Sequence, residues 1–293
     1  MTRLLDPRQR AMLAEMGVRV WQPAAGSSAP QAAEQEAPVS TAQQAAPVAP
    51  TPSAKPSLAA LKTVVLKPPG ASPAPVADEK TTMPLPAGLS EMNWTQLQMA
   101  AATCQACQAC HSRSRSVFAD GTPAADQAAT DWLVIGDAPN DLEDASGTPF
   151  GGPEGVLMDG MLHAMGLKRG QKGSANESVV LVNALKCKPD AQRQPSVFDI
   201  AQCRHFLQRQ IELLQPRMIV VLGRLAAQSV LHDSVSDVEH MPLGKLRGHV
   251  HQAYGRPVVV TYHPAYLLRT PSDKAKAWSD LCLAMSHLRH VRH

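Results

Sequence analysis

Four short stretches of this chain are apolar without interruption: WLVIG at 132–136, VVLVNA at 179–184, MIVVLG at 218–223 and VVVTY at 258–262. A strand with one wet face alternates apolar and polar residues, so unbroken runs of this length belong to strands covered on both faces. Helical patterns separate them. In VLMDGMLHAMGL the residues Val156, Leu157, Met161, Leu162 and Met165 fall on helical spacing, and Gly166 is a normal stop. VFDIAQCRHFLQRQIELLQP runs to Pro216, LAAQSVL follows the third run, and KAKAWSDLCLAMSHL closes the chain. Strands alternating with helices predict an α/β fold, a four-stranded parallel sheet between helical layers. In such sheets, function gathers at the carboxyl ends of the strands. Gly136, Asn183, Gly223 and His263 stand there.

The rest of the 293 residues divides by composition. Positions 24–91 are dominated by Ala, Pro, Ser, Gln and Thr, with too little apolar surface to offset the entropy of ordering, and read as a disordered linker. The Pro content suggests a partly extended spacer. Residues 1–23 carry Leu4, Leu5, Met12, Leu13, Met16 and Val18, enough for a short amphipathic helix. They read either as a helix of no further role or as a docking peptide for a protein partner, with Met16 and Trp21 among its anchors. The folded domain is expected over 92–293. A secretory h-region and an apolar run of about 18 residues are both lacking, so a cytoplasmic monomer without membrane contact is expected. Of the net +3 charge, residues 93–293 carry 20 basic and 18 acidic groups. That balance excludes a general polycation, and nucleic-acid contact would need local patches.

Six cysteines are present. Cys104, Cys107 and Cys110 form CQACQAC, a spacing typical of metal ligands, Cys187 follows the second apolar run, and Cys203 comes sixteen residues later. Four thiolates suit tetrahedral zinc or an iron–sulfur cluster, and spacing does not separate the two. Cys282, between Leu281 and Leu283, reads as a core residue.

Taken in order, CQACQACHSRSRSVFADG, WLVIGDAPNDLEDASGTPFGG, VNALKCKPDAQRQP and VTYHPAYLLR resemble the family 4 uracil-DNA glycosylases, the iron–sulfur branch of the uracil-DNA glycosylase superfamily. The likeness covers about Trp94 to Leu288. It implies a three-layer α/β/α sandwich and a [4Fe-4S] cluster on Cys104, Cys107, Cys187 and Cys203 with a structural role, Cys110 standing outside the ligand set. It implies hydrolysis of the bond between uracil and deoxyribose in DNA, with Phe150 stacking on the extruded base and His263 donating to its O2. Asn183 presents an acceptor and two donors on one plane, which matches uracil O4 and N3–H and mismatches cytosine.

The reaction also needs a water near C1′ and an anion beside a cationic sugar, for which Asp137 and Glu143 are the candidates. The family has Glu where this chain has Asp137, one methylene shorter, and misplacement by about an ångström can cost about 100-fold. Asn140 stands for a family Gly, a residue type suited to positive φ. Tyr266, Leu267, Leu268 and Arg269 follow the histidine. Leu267 or Leu268 is expected to fill the vacated stack. Lys186, Lys188, Arg193, Lys245, Arg247 and Arg269 are the expected phosphate contacts. The departures at 137 and 140 also leave room for a uracil- or abasic-site-binding scaffold of weak activity. A crosslinking variant is discounted, because KPDAQRQPSVFD contains no histidine.

Overall fold

A computed structural model describes residues 84–122, 130–170 and 177–291. The expected N-terminal helix or docking peptide, and the linker up to residue 83, lie outside the described residues. Packed structure begins earlier than residue 92: Leu85 and Leu89 pack against the cluster of Leu97, Phe118 and Phe206.

The four apolar runs are strands β1 (Trp132–Gly136), β2 (Val179–Asn183), β3 (Met218–Leu222) and β5 (Arg256–Thr261), all parallel. A fifth strand, β4 (Val250–Ala253), pairs antiparallel with β5 and makes the sheet mixed, in the order β2-β1-β3-β5-β4. Its turn is Tyr254-Gly255, both at positive φ (53° and 68°), the backbone a two-residue hairpin requires. The sequence reading missed β4 because VHQA is short, with Val250 and His251 only partly buried and Gln252 exposed.

Eight helices are described: α1 (Trp94–Thr103), α2 (Asp141–Ser146), α3 (Gly152–Met165), α4 (Val197–Leu214), α5 (Arg224–Leu231), α6 (Leu243–Leu246), α7 (Pro264–Arg269) and α8 (Lys274–Val291). Strand alternation sends Trp132, Val134, Val220, Leu222 and Val259 into one core with Met158, Met161 and Trp278. Leu133, Ile135, Val221 and Val260 enter the opposite core with Leu207, Ile211 and Val230. Full burial on both faces explains why the strands carry no polar alternation. Cys282 packs at the margin of the first core.

β1 lies between β2 and β3, so successive connections leave it in opposite directions. A crevice opens at such a reversal beyond the carboxyl ends. Helix caps are specific here. Ser196 and Asp199 form a capping box on α4, and Asn140 caps α2 by accepting from the amides of Leu142 and Glu143. Asn140 has φ −90°, so it stands there as a cap and not, as expected, for a left-handed turn.

Candidate functional site

The crevice is a groove of about 540 Å³. Asp137, Asn140, Glu154, Asp190, Arg224 and His263 are among its lining residues. Phe150, Asn183 and Glu143 are not among its lining residues and are each at most 2% exposed.

Asn183 ends β2. Its Nδ2 donates to Glu143 Oε2 at 2.8 Å. Glu143 Oε2 also accepts from the Asn140 amide at 3.3 Å, and Oε1 from the Gly151 amide at 3.3 Å. Both oxygens of Glu143 are therefore taken up by the protein. Burial raises its carboxyl above the ordinary range, with the Asn183 bond opposing. This differs from the expected water-holding carboxylate: Glu143 faces Asn183 and the Phe150 loop, and it does not line the groove.

Phe150 adopts φ +56°, rare for a bulky residue and costing about 1–3 kcal/mol unless the surroundings impose it. Arg169 supplies much of that constraint. Its guanidinium donates to the carbonyls of Pro149, Phe150 and Gly155 at 3.1–3.2 Å and pairs with Asp120 and Asp159. Gly155 is needed beneath the loop, since a Cβ there would stand 2.0 Å from the Phe150 carbonyl oxygen. Thus held, the Phe150 ring stacks with His263, centroids 5.8 Å apart and planes 23° apart. A Cβ on Gly136 would lie 2.6 Å from Asn183 Oδ1 and 2.7 Å from Phe150 Cζ, so amide and ring converge on this glycine.

His263 caps α7. Its Nδ1 accepts from the Ala265 amide at 3.2 Å. Burial, and then the charge of Arg269, lowers its pKa to about 4. The ring is neutral at pH 7, and with Nδ1 engaged as acceptor the proton resides on Nε2.

Asp137 follows β1, with its carboxyl turned against Gly223 and the start of α5. Oδ1 accepts from the Ala226 amide at 2.8 Å. A Cβ on Gly223 would be 2.2 Å from Oδ2, and Gly223 has φ +102°, so glycine is required here twice over. Burial pushes the carboxyl up to about 7 against the amides of Ala226 and Leu225.

The expected DNA contacts separate. Leu267 is 0% exposed and belongs to the core, because the first turn of α7 directs it inward; Leu268, 41% exposed, faces out. Arg269 and Lys245 are exposed. Lys186 is buried and donates to the Asn183 carbonyl. Arg247 pairs with buried Asp280 and lies over the Tyr262 ring. Arg193 pairs with Asp199, and Lys188 with Asp141 at 2.6 Å. Lys186 and Arg247 are thus committed inside the protein.

Cys107, Cys187 and Cys203 are at most 5% exposed, with Cys104 and Cys110 nearer the surface. A hydrogen bond between Cys203 and Cys107 lowers the pKa of Cys107 and raises that of Cys203. Burial raises Cys187 to about 11, while the charge of Arg113, whose Nη1 is 2.9 Å from Cys187 Sγ, acts against this. Asp199 draws the cysteine loop onto α4 by accepting from the Gln108 amide at 3.2 Å. As placed, no group of three or more potential ligands among the described residues forms a finished metal site. The donors are nonetheless soft thiols, buried and drawn together from two distant segments, with cations beside them, which fits a thiolate-bound metal group.

Site residues that the sequence reading missed are Arg169 and Glu154; Gly136 and Gly223 were named at the strand ends but given no role. Arg169 and Glu154 carried no signal.

An aromatic ring, a hydrogen-bonded amide and a neutral histidine stand at the carboxyl end of the parallel strands, residue types able to stack on and hydrogen-bond a nucleobase. Comparison with known proteins agrees. The family model of the Uracil DNA glycosylase superfamily matches residues 123–282. The type-4 uracil-DNA glycosylase of Archaeoglobus fulgidus is 35% identical over 152 residues, 50% of this chain and 72% of that one. That of Thermotoga maritima is 32% identical over 174 residues, 59% and 82% of the two chains. That of Saccharolobus solfataricus is 33% identical over 172 residues, 57% and 74%. The chain belongs to the uracil-DNA glycosylase superfamily, in its type-4 branch.

Proposed function

We propose that the protein excises uracil from DNA by hydrolysing its N-glycosidic bond, leaving an abasic site. The observation that carries this reading is the convergence of Asn183 and Phe150 on Gly136, with His263 stacked against Phe150, at the carboxyl ends of the parallel strands.

A base inside a duplex must leave the stack to be cut, at a cost of a few kcal/mol that the pocket has to offset. Phe150 offers a stacking face. Asn183 offers Oδ1 to N3–H and its second Nδ2 hydrogen to O4, the first being held by Glu143. Glu143 is accordingly a positioning residue. As the bond breaks, negative charge grows on uracil O2. A neutral His263 with its proton on Nε2 donates there without first having to lose a charge, and such a fixed donor favours the transition state over the substrate.

On the sugar side, Asp137 and Glu154 are the candidates among the groove's carboxylates, which also include Asp190. Asp137 is the family's position and serves the cationic sugar and its water once deprotonated. Glu154, which accepts from Asn140 Nδ2 at 3.3 Å, adds a second anion to the groove. Leu268 is the wedge for the vacated stack, with Arg269 and Lys245 for phosphates.

Cys104, Cys107, Cys187 and Cys203 would hold a [4Fe-4S] cluster. Such a cluster supplies cross-linking between the segment before β1 and the one after β2. Residues 1–23 remain the proposed docking peptide, on sequence grounds alone.

A weakly active scaffold is the second reading, favoured by the Asp137 carboxyl being engaged by α5. The test is release of uracil from a labelled single-uracil oligonucleotide, scored as alkali-sensitive strand breakage with wild-type protein and with His263→Ala. Breakage that is lost in the variant supports the glycosylase. Intact oligonucleotide with retained DNA binding would transfer the reading to the scaffold.

A further inference from the structure

Lys186 stands immediately before Cys187, is 1% exposed, and has its Nζ 2.5 Å from the Asn183 backbone oxygen. One carbonyl satisfies one of its three N–H donors. A buried ammonium normally has an anionic partner, because removing it from water is costly. Among the described residues no carboxylate pairs with Lys186; burial works against its charge, and the ionisable groups that act to favour it are the thiols of Cys203 and Cys187. The nearby carboxylate of Asp199 is already committed to Arg193, the Gln108 amide and the α4 cap.

A second cation approaches the same sulfurs. Arg113 donates to Cys187 Sγ at 2.9 Å and to the carbonyls of Ala101 and Ala102 near the end of α1, at 3.4 and 2.7 Å. Two basic side chains thus stand beside the buried thiols, and an anionic group there would favour the charged form of Lys186 against its burial. Four thiolates around a metal group carry the negative charge that this arrangement lacks.

We propose that Lys186, together with Arg113, is the internal countercharge of the iron–sulfur group, and that its bond to the Asn183 carbonyl makes it a positioning residue linking that group to the base reader. The proposal rests on the iron–sulfur reading above. A fixed positive charge beside an anionic cluster makes reduction easier and stabilises the loaded site. Loss of the lysine charge also releases the end of β2 from the cysteine region.

The test compares full-length wild-type protein, Lys186→Met, Lys186→Arg and Arg113→Gln, each purified anaerobically with its native metal content. Iron and acid-labile sulfide, reduction potential by protein-film voltammetry, the rate of iron extraction by a chelator, and KM for a uracil oligonucleotide are measured. Expected are a lower potential and at least about tenfold faster extraction in Lys186→Met, with a raised KM, and near wild-type potential in Lys186→Arg. If Lys186→Met does not fold, Arg113→Gln, on the more exposed side, must show the downward shift by itself. Wild-type cluster with an unchanged potential and extraction rate in the neutral variants overturns this proposal alone. Wild-type protein holding zinc and no sulfide overturns the iron–sulfur reading as well.

Discussion

Asn183 and Glu143 meet through a 2.8 Å hydrogen bond in the interior, Nδ2 donating to Oε2. The carboxylate accepts only, so the bond fixes which end of the amide is nitrogen and aims Oδ1 away from Glu143. The same carboxylate holds the amides of Asn140 and Gly151, so one side chain sets the cap of α2, the start of α3 and the base reader. Glu143→Ala is expected to destabilise the fold by about 1–3 kcal/mol, the cost of buried donors left without acceptors, and to lower kcat/KM for uracil by roughly 100-fold. Thermal unfolding and single-turnover excision check the two effects.

His263→Ala should lower excision by about 100- to 1000-fold while leaving the fold intact. Since burial holds the imidazole pKa near 4, the ring stays neutral across pH 5–8. A limb near 6.5 in the pH–rate profile assigned to His263 would contradict the neutral-donor role. The unfolded histidine takes up its proton near pH 6.5 and the folded one only near 4, so its contribution to stability is present above about 6.5 and is lost as pH falls toward 4.

Asp137 behaves oppositely. Folded, it keeps its proton up to about pH 7, whereas its ordinary pKa is 3.8. Between these values the folded state binds more protons, so the contribution to stability is full below about pH 4 and declines as pH rises to 7. Asp137→Asn should raise the melting temperature at pH 8 and change it little at pH 4. Its excision should be at least about tenfold lower and lack the rise through pH 7 expected of wild type. A rise that persists in Asp137→Asn would direct attention to Glu154, tested by Glu154→Gln.

Arg169→Leu removes donors from three carbonyls around Phe150, in a loop whose φ the residue does not adopt by preference. Bonds from a charged donor contribute about 1.5–3 kcal/mol each before screening, and Arg169 is partly exposed, so a total loss of about 1–3 kcal/mol is expected. KM should rise more than kcat falls, because the loop can still close over bound substrate. Lys168→Ala, at an exposed neighbour, serves as the control.

Leu268→Ala should weaken excision from duplex by about tenfold and leave single-stranded substrate nearly unaffected, since only the duplex needs its stack refilled. Leu267→Ala should instead act through stability, by about 2–5 kcal/mol, as expected of a buried leucine. Chemical unfolding beside excision rates on both substrates separates the two.

What could be read in the sequence follows from how each feature is encoded. The parallel strands were visible because burial on both faces leaves unbroken apolar runs, and Asn183 and His263 because they interrupt such runs at the end where sites form. β4 was hidden, as a short edge strand needs no apolar pattern, and only Tyr254-Gly255 hinted at its turn. Lys186 and Leu267 were misplaced for a shared reason: neither residue type nor position in a motif reveals which way a side chain points, and one step along α7 separates the core from solvent. Arg169 acts nineteen residues after Phe150 through backbone carbonyls, which leave no trace in side-chain identity.

The pairing of β4 with β5 has a consequence for how the two halves of the site open. β5, which leads to His263, is hydrogen-bonded on both sides, by β3 and by β4. β2, which ends in Asn183, pairs with β1 on one side and on the other has the bridge of Leu181 with Asp120, in the segment following the cysteines. Amide hydrogens of Val258–Thr261 are therefore expected to exchange only when the whole domain unfolds, while those near Asn183 exchange through a smaller excursion that frees residues 104–120. The histidine half is built into the sheet on both sides; the Asn183 half relies on a single bridge to the segment after the cysteines.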